Sequence, residues 1–392
     1  MIQYFIISIL IVDCGDIMLV EQYGAMTKEN ADSRLERYIK TDTLQRLQGK
    51  GLFCGMDYVN IKNLKPIEYY SRLEHSKNVA YSTSSLYRDN KEEYFKVALA
   101  GLFHDVGTKC FSHANSFKTG DILTQENDEL NVKSILLQDE ELITYLHEDG
   151  INIEDVIDYS KYPILDKPIP ALCMDRLDGG ILGTCLFWAH THTFDEIKKL
   201  WAMAGYLENT NGMCVDLSSE RCKNFTGEMV LSEDENTAWF EDFFKAINVY
   251  SKILLSKESR YMMEVLGLTL NYYEDINVID EQSMFYLSEQ EIIDRILSSS
   301  YKEIWQDITS FDKVIFAKDI DDGLTFISQP KIRQCNPLII DSHLNLCEID
   351  SISGCFYKEL NNIKEDIYLT KKPITGNLSK YTVKTLSRYK KR

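Results

Sequence analysis

No C-x-x-C pair occurs among the ten cysteines, so neither a zinc knuckle nor a thioredoxin-like dithiol is suggested. Several cysteines, Cys173 and Cys185 among them, sit in apolar context and read as small buried hydrophobes. The expected compartment is the reducing cytoplasm. Positive charge is scarce: 43 Lys and Arg stand against 61 Asp and Glu, for a net charge of −18. That balance disfavours general binding of nucleic acid or of an anionic membrane. Only the stretch from Lys380 to Arg392 is clearly basic, and it reads as a solvated or frayed tail. Long apolar runs are missing too. Tyr4 to Val12 is nine residues, too short to cross a bilayer, and it lacks the basic start and cleavage site of a signal peptide. With the turn-like Asp13-Cys14-Gly15-Asp16 and then Ile17-Met18-Leu19-Val20, it predicts a β-hairpin. Internal repeats, heptad arrays and low-complexity segments are absent.

What remains is a chain of 392 residues, 44% apolar, long enough for one large domain or two ordinary ones. The periodicity predicts a mainly α fold. An N-terminal hairpin (1–30) precedes a helical core (31–206). A helical extension with a short strand-rich excursion (207–310) and a small α+β C-terminal lobe with the basic tail (311–392) follow. Helical spacing marks 31–50, 71–88, 92–104, 127–138, 139–148, 153–159, 169–187, 194–206, 237–272 and 288–307. The second half of 92–104 is apolar on nearly all sides, which predicts full burial.

That segment ends in chemistry. The run Ala98-Leu99-Ala100-Gly101-Leu102-Phe103 delivers His104-Asp105, and buried polar groups need partners. An imidazole beside a carboxylate suits a divalent metal. His75 upstream and Asp175 downstream complete a set of two nitrogens and two carboxylates. The set accommodates Mn²⁺, Fe²⁺, Ni²⁺, Zn²⁺ or Mg²⁺ without choosing among them. Such an ion would act as a Lewis acid on a phosphoryl oxygen or activate a water. A lone histidine would instead read as a satisfied core residue.

The order His75, His104-Asp105, Asp175 resembles the HD superfamily of metal-dependent phosphohydrolases, and more closely its dGTPase-like dNTP triphosphohydrolases. Leu44-Gln45-Arg46-Leu47 is similar to their "fQRL" element and Arg72 to Ser76 to "R-F/L-E-H-S". His104 to Gly107, followed by Phe111-Ser112-His113, resembles "HD-h-G-H-x-P-F-S-H". Asp175-Arg176-Leu177-Asp178 resembles "D-R-h-D-Y", and Lys331 to Leu338 resembles "K-h-R-x-x-[DN]-P-L". The resemblance implies an HD helical core. It implies metal ligation by His75, His104, Asp105 and Asp175, and a phosphate contact for Arg72 through its bidentate guanidinium. It further implies proton transfer or phosphate positioning by His113, and substrate contacts from Arg176 and Asp178. Lys257 and Arg260 resemble "H-K-x-x-R", with Ser256 in place of the His, which implies nucleotide contacts for these two. Assembly as a homo-oligomer is also implied.

The departures are as specific. Thr108 stands where the family has a histidine, and Ser116 and Asp128-Glu129 fall where it has other active groups. Gly179 replaces the usual Tyr, and Leu182-Gly183 the usual "R-D". The missing groups transfer protons and grip the deoxyribose and base, and the two glycines would leave open volume on the substrate side. The expected function is therefore nucleotide phosphohydrolysis with altered substrate or weak activity. The alternatives are a catalytically weak nucleotide-binding regulator and a phosphodiesterase on a cyclic or oligomeric nucleotide.

Overall fold

The computed structural model describes residues 18–59, 66, 68–86, 91–115, 132–207, 212–216 and 245–309. It also describes 315–316, 325–328, 335, 337–340, 346–348 and 367–370. The described residues are mainly helical. In chain order they form α1 (Leu19–Lys28), α2 (Leu35–Ile39), α3 (Asp42–Gln45), α4 (Arg72–Leu86) and α5 (Lys91–Phe103). Then come α6 (Val132–Leu136), α7 (Glu140–Glu148), α8 (174–188), α9 (Phe194–Ala202) and α10 (245–254). The last helices are α11 (Lys257–Asp275), α12 (Glu281–Tyr286), α13 (Glu289–Ser298) and α14 (Lys302–Thr309). None of them is long and apolar enough to cross a membrane.

Helices α4 and α5 pack side by side at the centre. The apolar half of α5 is buried as its sequence requires, with Ala98, Leu99, Ala100, Leu102 and Phe103 fully inside. Gly101 lets the helices close up: a Cβ there would lie 3.1 Å from Val79 of α4 and 2.9 Å from Leu165. Helix α4 is buried almost all round although it is polar, with Ser76, Asn78, Ser82, Thr83 and Ser85 inside. Two of its hydroxyls are absorbed by its own backbone: Thr83 donates to the Val79 carbonyl and Ser85 to that of Ser82. Ser71 caps the helix by accepting the Glu74 amide at 3.1 Å.

Two expectations are corrected. The second strand of the predicted N-terminal hairpin is not extended, because Leu19 and Val20 begin α1. Val20, Tyr23 and Thr27 recur at helical spacing and form its buried face. Residues 1–17, with the first predicted strand, lie outside the described residues. The closing segment does not form a self-contained α+β lobe either. Its strand β5 (Leu338–Ile340) pairs in parallel with β2 (Gly212–Asp216), within a sheet ordered β1-β2-β5-β6. There β1 is Ala204–Leu207 and β6 is Leu346–Glu348. Short strands β3 (Ile315–Phe316), β4 (Thr325–Ser328) and β7 (Ile367–Thr370) make a second sheet, ordered β3-β7-β4.

The junction between α12 and α13 reaches back to the centre. Buried Lys50 donates from Nζ to the Met284 carbonyl (3.3 Å) and the Leu287 carbonyl (3.1 Å). Arg46 Nη1 donates to the carbonyls of Phe285 (2.7 Å) and Thr108 (3.0 Å), and Nη2 to that of Val106. Glu289 is fully buried nearby. Beside it, both carboxylate oxygens of Asp57 are buried without a hydrogen-bond partner among the described residues.

Burial, with Glu289 adding like charge, pushes the Asp57 carboxyl up to about 8. The folded chain thus holds a proton that the unfolded chain has released, and stability falls as pH rises from about 4, the ordinary Asp value, to about 8. Asp57→Asn should melt higher than the natural protein at pH 8. The two midpoints should converge toward pH 4, as followed by thermal scans across that range.

Candidate metal centre

Three elements supply the centre: the first turn of α4 carries His75, the end of α5 delivers His104 and Asp105, and the start of α8 carries Asp175. One nitrogen each of His75 and His104 and one oxygen of Asp175 lie within 4.8 Å of one another. His75 Nε2 is 3.0 Å from Asp175 Oδ1, and His104 Nε2 is 3.7 Å from the same oxygen. Asp105 Oδ2 stands 3.5 Å from His104 Nε2 and 3.8 Å from His75 Nε2. The four predicted ligands therefore converge.

The tautomers follow from the outer contacts. His104 Nδ1 is 2.7 Å from the Gly101 carbonyl, which only accepts, so Nδ1 carries the proton. In the neutral ring Nε2 then presents a lone pair to the centre, and that buried atom has no hydrogen-bond partner among the described residues. His75 Nδ1 donates to Asp178 Oδ2 at 2.7 Å, turning Nε2 the same way. Burial disfavours the His75 imidazolium, but the bonds to Asp175 and Asp178 outweigh it and raise the ring to about 10, so without an ion Nε2 also carries a proton, shared with Asp175, which a bound ion would displace. Burial likewise opposes ionisation of Asp105, yet Arg72, with His104 and His75, holds that carboxyl well below the usual range. Two imidazole nitrogens, one of them orphaned, facing two carboxylates form a donor set that fits a divalent ion.

Asp178 is not on a substrate face. It is buried, and it accepts from Tyr23 (2.8 Å) and Tyr70 (2.8 Å) as well as from His75. This is the carboxylate behind a ligating histidine, which fixes ring and tautomer. The network continues from Asn78 Nδ2 to the Tyr70 hydroxyl (2.8 Å) and from Thr27 to Asn78 Oδ1 (2.6 Å). Helix α1 thus helps build the site, and the sequence pattern of Tyr23, Tyr70 and Asn78 did not announce it.

The glycines of α8 leave no open volume. A Cβ on Gly179 would lie 2.8 Å from His75 Cε1, and one on Gly183 would lie 3.0 Å from the Asp178 carbonyl. Gly179 lets α8 press against the imidazole. The helix is wound in π turns over Arg176–Leu182 and Thr184–Trp188, a form frequent at functional sites.

The remaining predicted residues divide. Arg72 does not stand free for phosphate: Nη1 lies 2.8 Å from both oxygens of Asp105, and Nε donates to Ser112 Oγ at 3.1 Å. Arg176 donates to the carbonyls of Ala171 and Lys167, bracing the loop before α8. His113 is half-buried in the loop after the His-Asp pair. Arg260 is buried on α11. Lys257 begins that helix, and its side chain, like Ser116 and 116–131 generally, lies outside the described residues. Thr108 is buried, its hydroxyl 3.3 Å from Asp105 Oδ1.

Comparison with known proteins agrees with this geometry. The HD domain family matches residues 72–179, which span all four predicted ligands. The uncharacterized protein YdhJ of Bacillus subtilis (strain 168) is 24% identical over 320 residues, covering 80% of this chain and 86% of that protein. A hypothetical protein from Aquifex aeolicus shares the fold with a TM-score of 0.53 at 18% identity, over 91% of this chain and 96% of that one. A phosphohydrolase from Bacteroides thetaiotaomicron VPI-5482 does so with a TM-score of 0.51 at 12% identity, over 86% and 95%.

Asp178→Asn should keep the fold and lower divalent-metal affinity by about 10–100-fold, the usual cost of losing such a partner. Competition titration against a chromophoric chelator measures it. Unchanged affinity would show that His75 is oriented by something else.

Proposed function

We propose that the chain is a metal-dependent phosphohydrolase acting on a nucleotide. One observation carries the reading: His75, His104 and Asp175 converge, with His104 Nε2 buried and unpaired among the described residues. Such a nitrogen lacks a partner until an ion is bound. The matching HD domain and the fold shared with a phosphohydrolase support the reaction class.

A divalent ion bound there would supply Lewis acidity toward a phosphoryl oxygen. The chain's own residues do the rest. Asp178 and the Gly101 carbonyl hold the two imidazoles in the ligating tautomer. Arg72 fixes Asp105 in its ionised form. Asp175, with its side chain 38% exposed, is the most open of the four and marks the side from which substrate enters. A guanidinium engaged with Asp105 still lends positive charge to this side of the centre, where an anionic phosphate gains from it.

The Thr108 hydroxyl favours a slow enzyme over a fast one. It hydrogen-bonds but does not titrate near neutral pH, and positioned acid–base help is typically worth about 10²–10⁴-fold. Activity on ordinary dNTPs should therefore be weak despite a filled centre. His113 is the imidazole next along the loop and the candidate for the missing proton transfer.

The test is a nucleotide panel with Mn²⁺, Fe²⁺, Ni²⁺, Zn²⁺ or Mg²⁺, read by phosphate, triphosphate and nucleoside release. Turnover should vanish in His104→Gln together with metal content. In His113→Ala it should fall at least tenfold with metal content intact. Metal and nucleotide binding without turnover would instead favour the regulatory reading. Fast dGTP turnover indifferent to His113→Ala would remove the argument from Thr108.

A further inference from the structure

Phe111 and Ser112 adopt φ of 63° and 47°, two consecutive non-glycine residues in the left-handed region. That conformation is costly for side chains with a Cβ and persists where the surroundings over-determine it. The surroundings here are the α12–α13 junction. Glu289, the first residue of α13, accepts the Phe111 amide on Oε1 at 2.7 Å and the Tyr58 hydroxyl on Oε2 at 2.9 Å. The Cys110 amide donates to the Met284 carbonyl at 2.9 Å, and its thiol to the Leu287 carbonyl at 3.1 Å.

The strained turn has one evident product, the placement of Ser112 Oγ. That hydroxyl is buried, donates to the Gly51 carbonyl at 2.9 Å and accepts Arg72 Nε at 3.1 Å. Arg72 then grips both oxygens of Asp105 at 2.8 Å. We propose that Glu289 and Ser112 are positioning residues of the metal centre. Glu289 holds the Phe111–Ser112 turn, Ser112 orients the Arg72 guanidinium, and Arg72 sets the Asp105 carboxylate. The orientation of one ligand is thereby governed from α13, outside residues 72–179. What Asp105 does with that orientation rests on the metal reading above, but the contacts of the relay do not.

The bland alternative is that Glu289 merely completes a polar core. Ser112→Ala removes the hydroxyl and little else. Glu289→Gln keeps the shape and an acceptor but removes the charge. Ser283→Ala, at the cap of α12, is the control for stability alone, since among the described residues the hydroxyl it removes bonds only to the Asp280 backbone amide and carbonyl. In the metal-free protein the Arg72 Nε–H signal in ¹H–¹⁵N spectra should shift in Ser112→Ala and Glu289→Gln and exchange at least tenfold faster. Ser283→Ala should lower the melting midpoint and leave that signal in place. With Co²⁺, both relay variants should bind roughly tenfold more weakly and show altered visible bands, and kcat should fall with KM little changed. If Glu289→Gln does not fold, Ser112→Ala carries the test. An Arg72 signal unmoved in Ser112→Ala, or moved equally by Ser283→Ala, overturns the relay. A natural protein that takes up no Co²⁺ would overturn the metal reading alone, and the Arg72 signal would still decide the relay.

Discussion

The structure depends on how one imidazole is held. His75 is bonded at both ring nitrogens by carboxylates three residues apart on α8, Asp175 at Nε2 and Asp178 at Nδ1. This requires α8 to lie closer to the ring than a side chain would permit, which Gly179 allows. It also buries a carboxylate, and a buried charge is tolerated only when fully partnered. Tyr23 and Tyr70 provide that partnership, so α1 and the residues before α4 are drawn in to satisfy Asp178. The Tyr70 ring then stacks on Phe187 at 4.6 Å, tying the far end of α8 to the same cluster.

The ligands are not held alike. His75 is backed by a carboxylate, His104 by a carbonyl of its own helix, and Asp105 by a guanidinium. Each of these three has a fixed partner on the side away from the centre. Among the described residues Asp175 pairs with the two histidines, and it is the most exposed. Such a set is rigid on three sides and adaptable on the fourth, which suits a site that has to admit a substrate oxygen as well as an ion. The opposed partners also balance charge: Asp178 makes the His75 side more basic, and Arg72 tempers Asp105.

The ligands and their helices were legible because their signals are local. An apolar run ending in His-Asp reads as a buried helix delivering polar groups, and α5 does this. What stayed hidden depends on contacts far apart in sequence. Asp178 looked like a substrate contact because nothing local says that Tyr23 and Tyr70 will enclose it. The glycines of α8 suggested space, and only the position of His75 shows that space to be filled. Helix α1 departs from the expected strand because Ile17 to Val20 is β-like only locally, while the residues that decide its face lie further on, at Tyr23 and Thr27. Helix α4 is buried almost all round because small hydroxyl side chains fill positions that a hydrophobic pattern does not mark.

The boundary of the matching segment is not the boundary of the site. Residues 72–179 hold every predicted ligand, yet several groups that fix those side chains lie outside. Tyr23 and Tyr70 precede the segment, Arg46 secures the carbonyls of Val106 and Thr108, and Glu289 follows more than a hundred residues later. An ion can be approached by four side chains from a short segment, but ligand geometry is set by the partners behind them. In this chain those partners are supplied from both flanks, so the helices after residue 179 are part of the metal centre's construction and not an appendage to it.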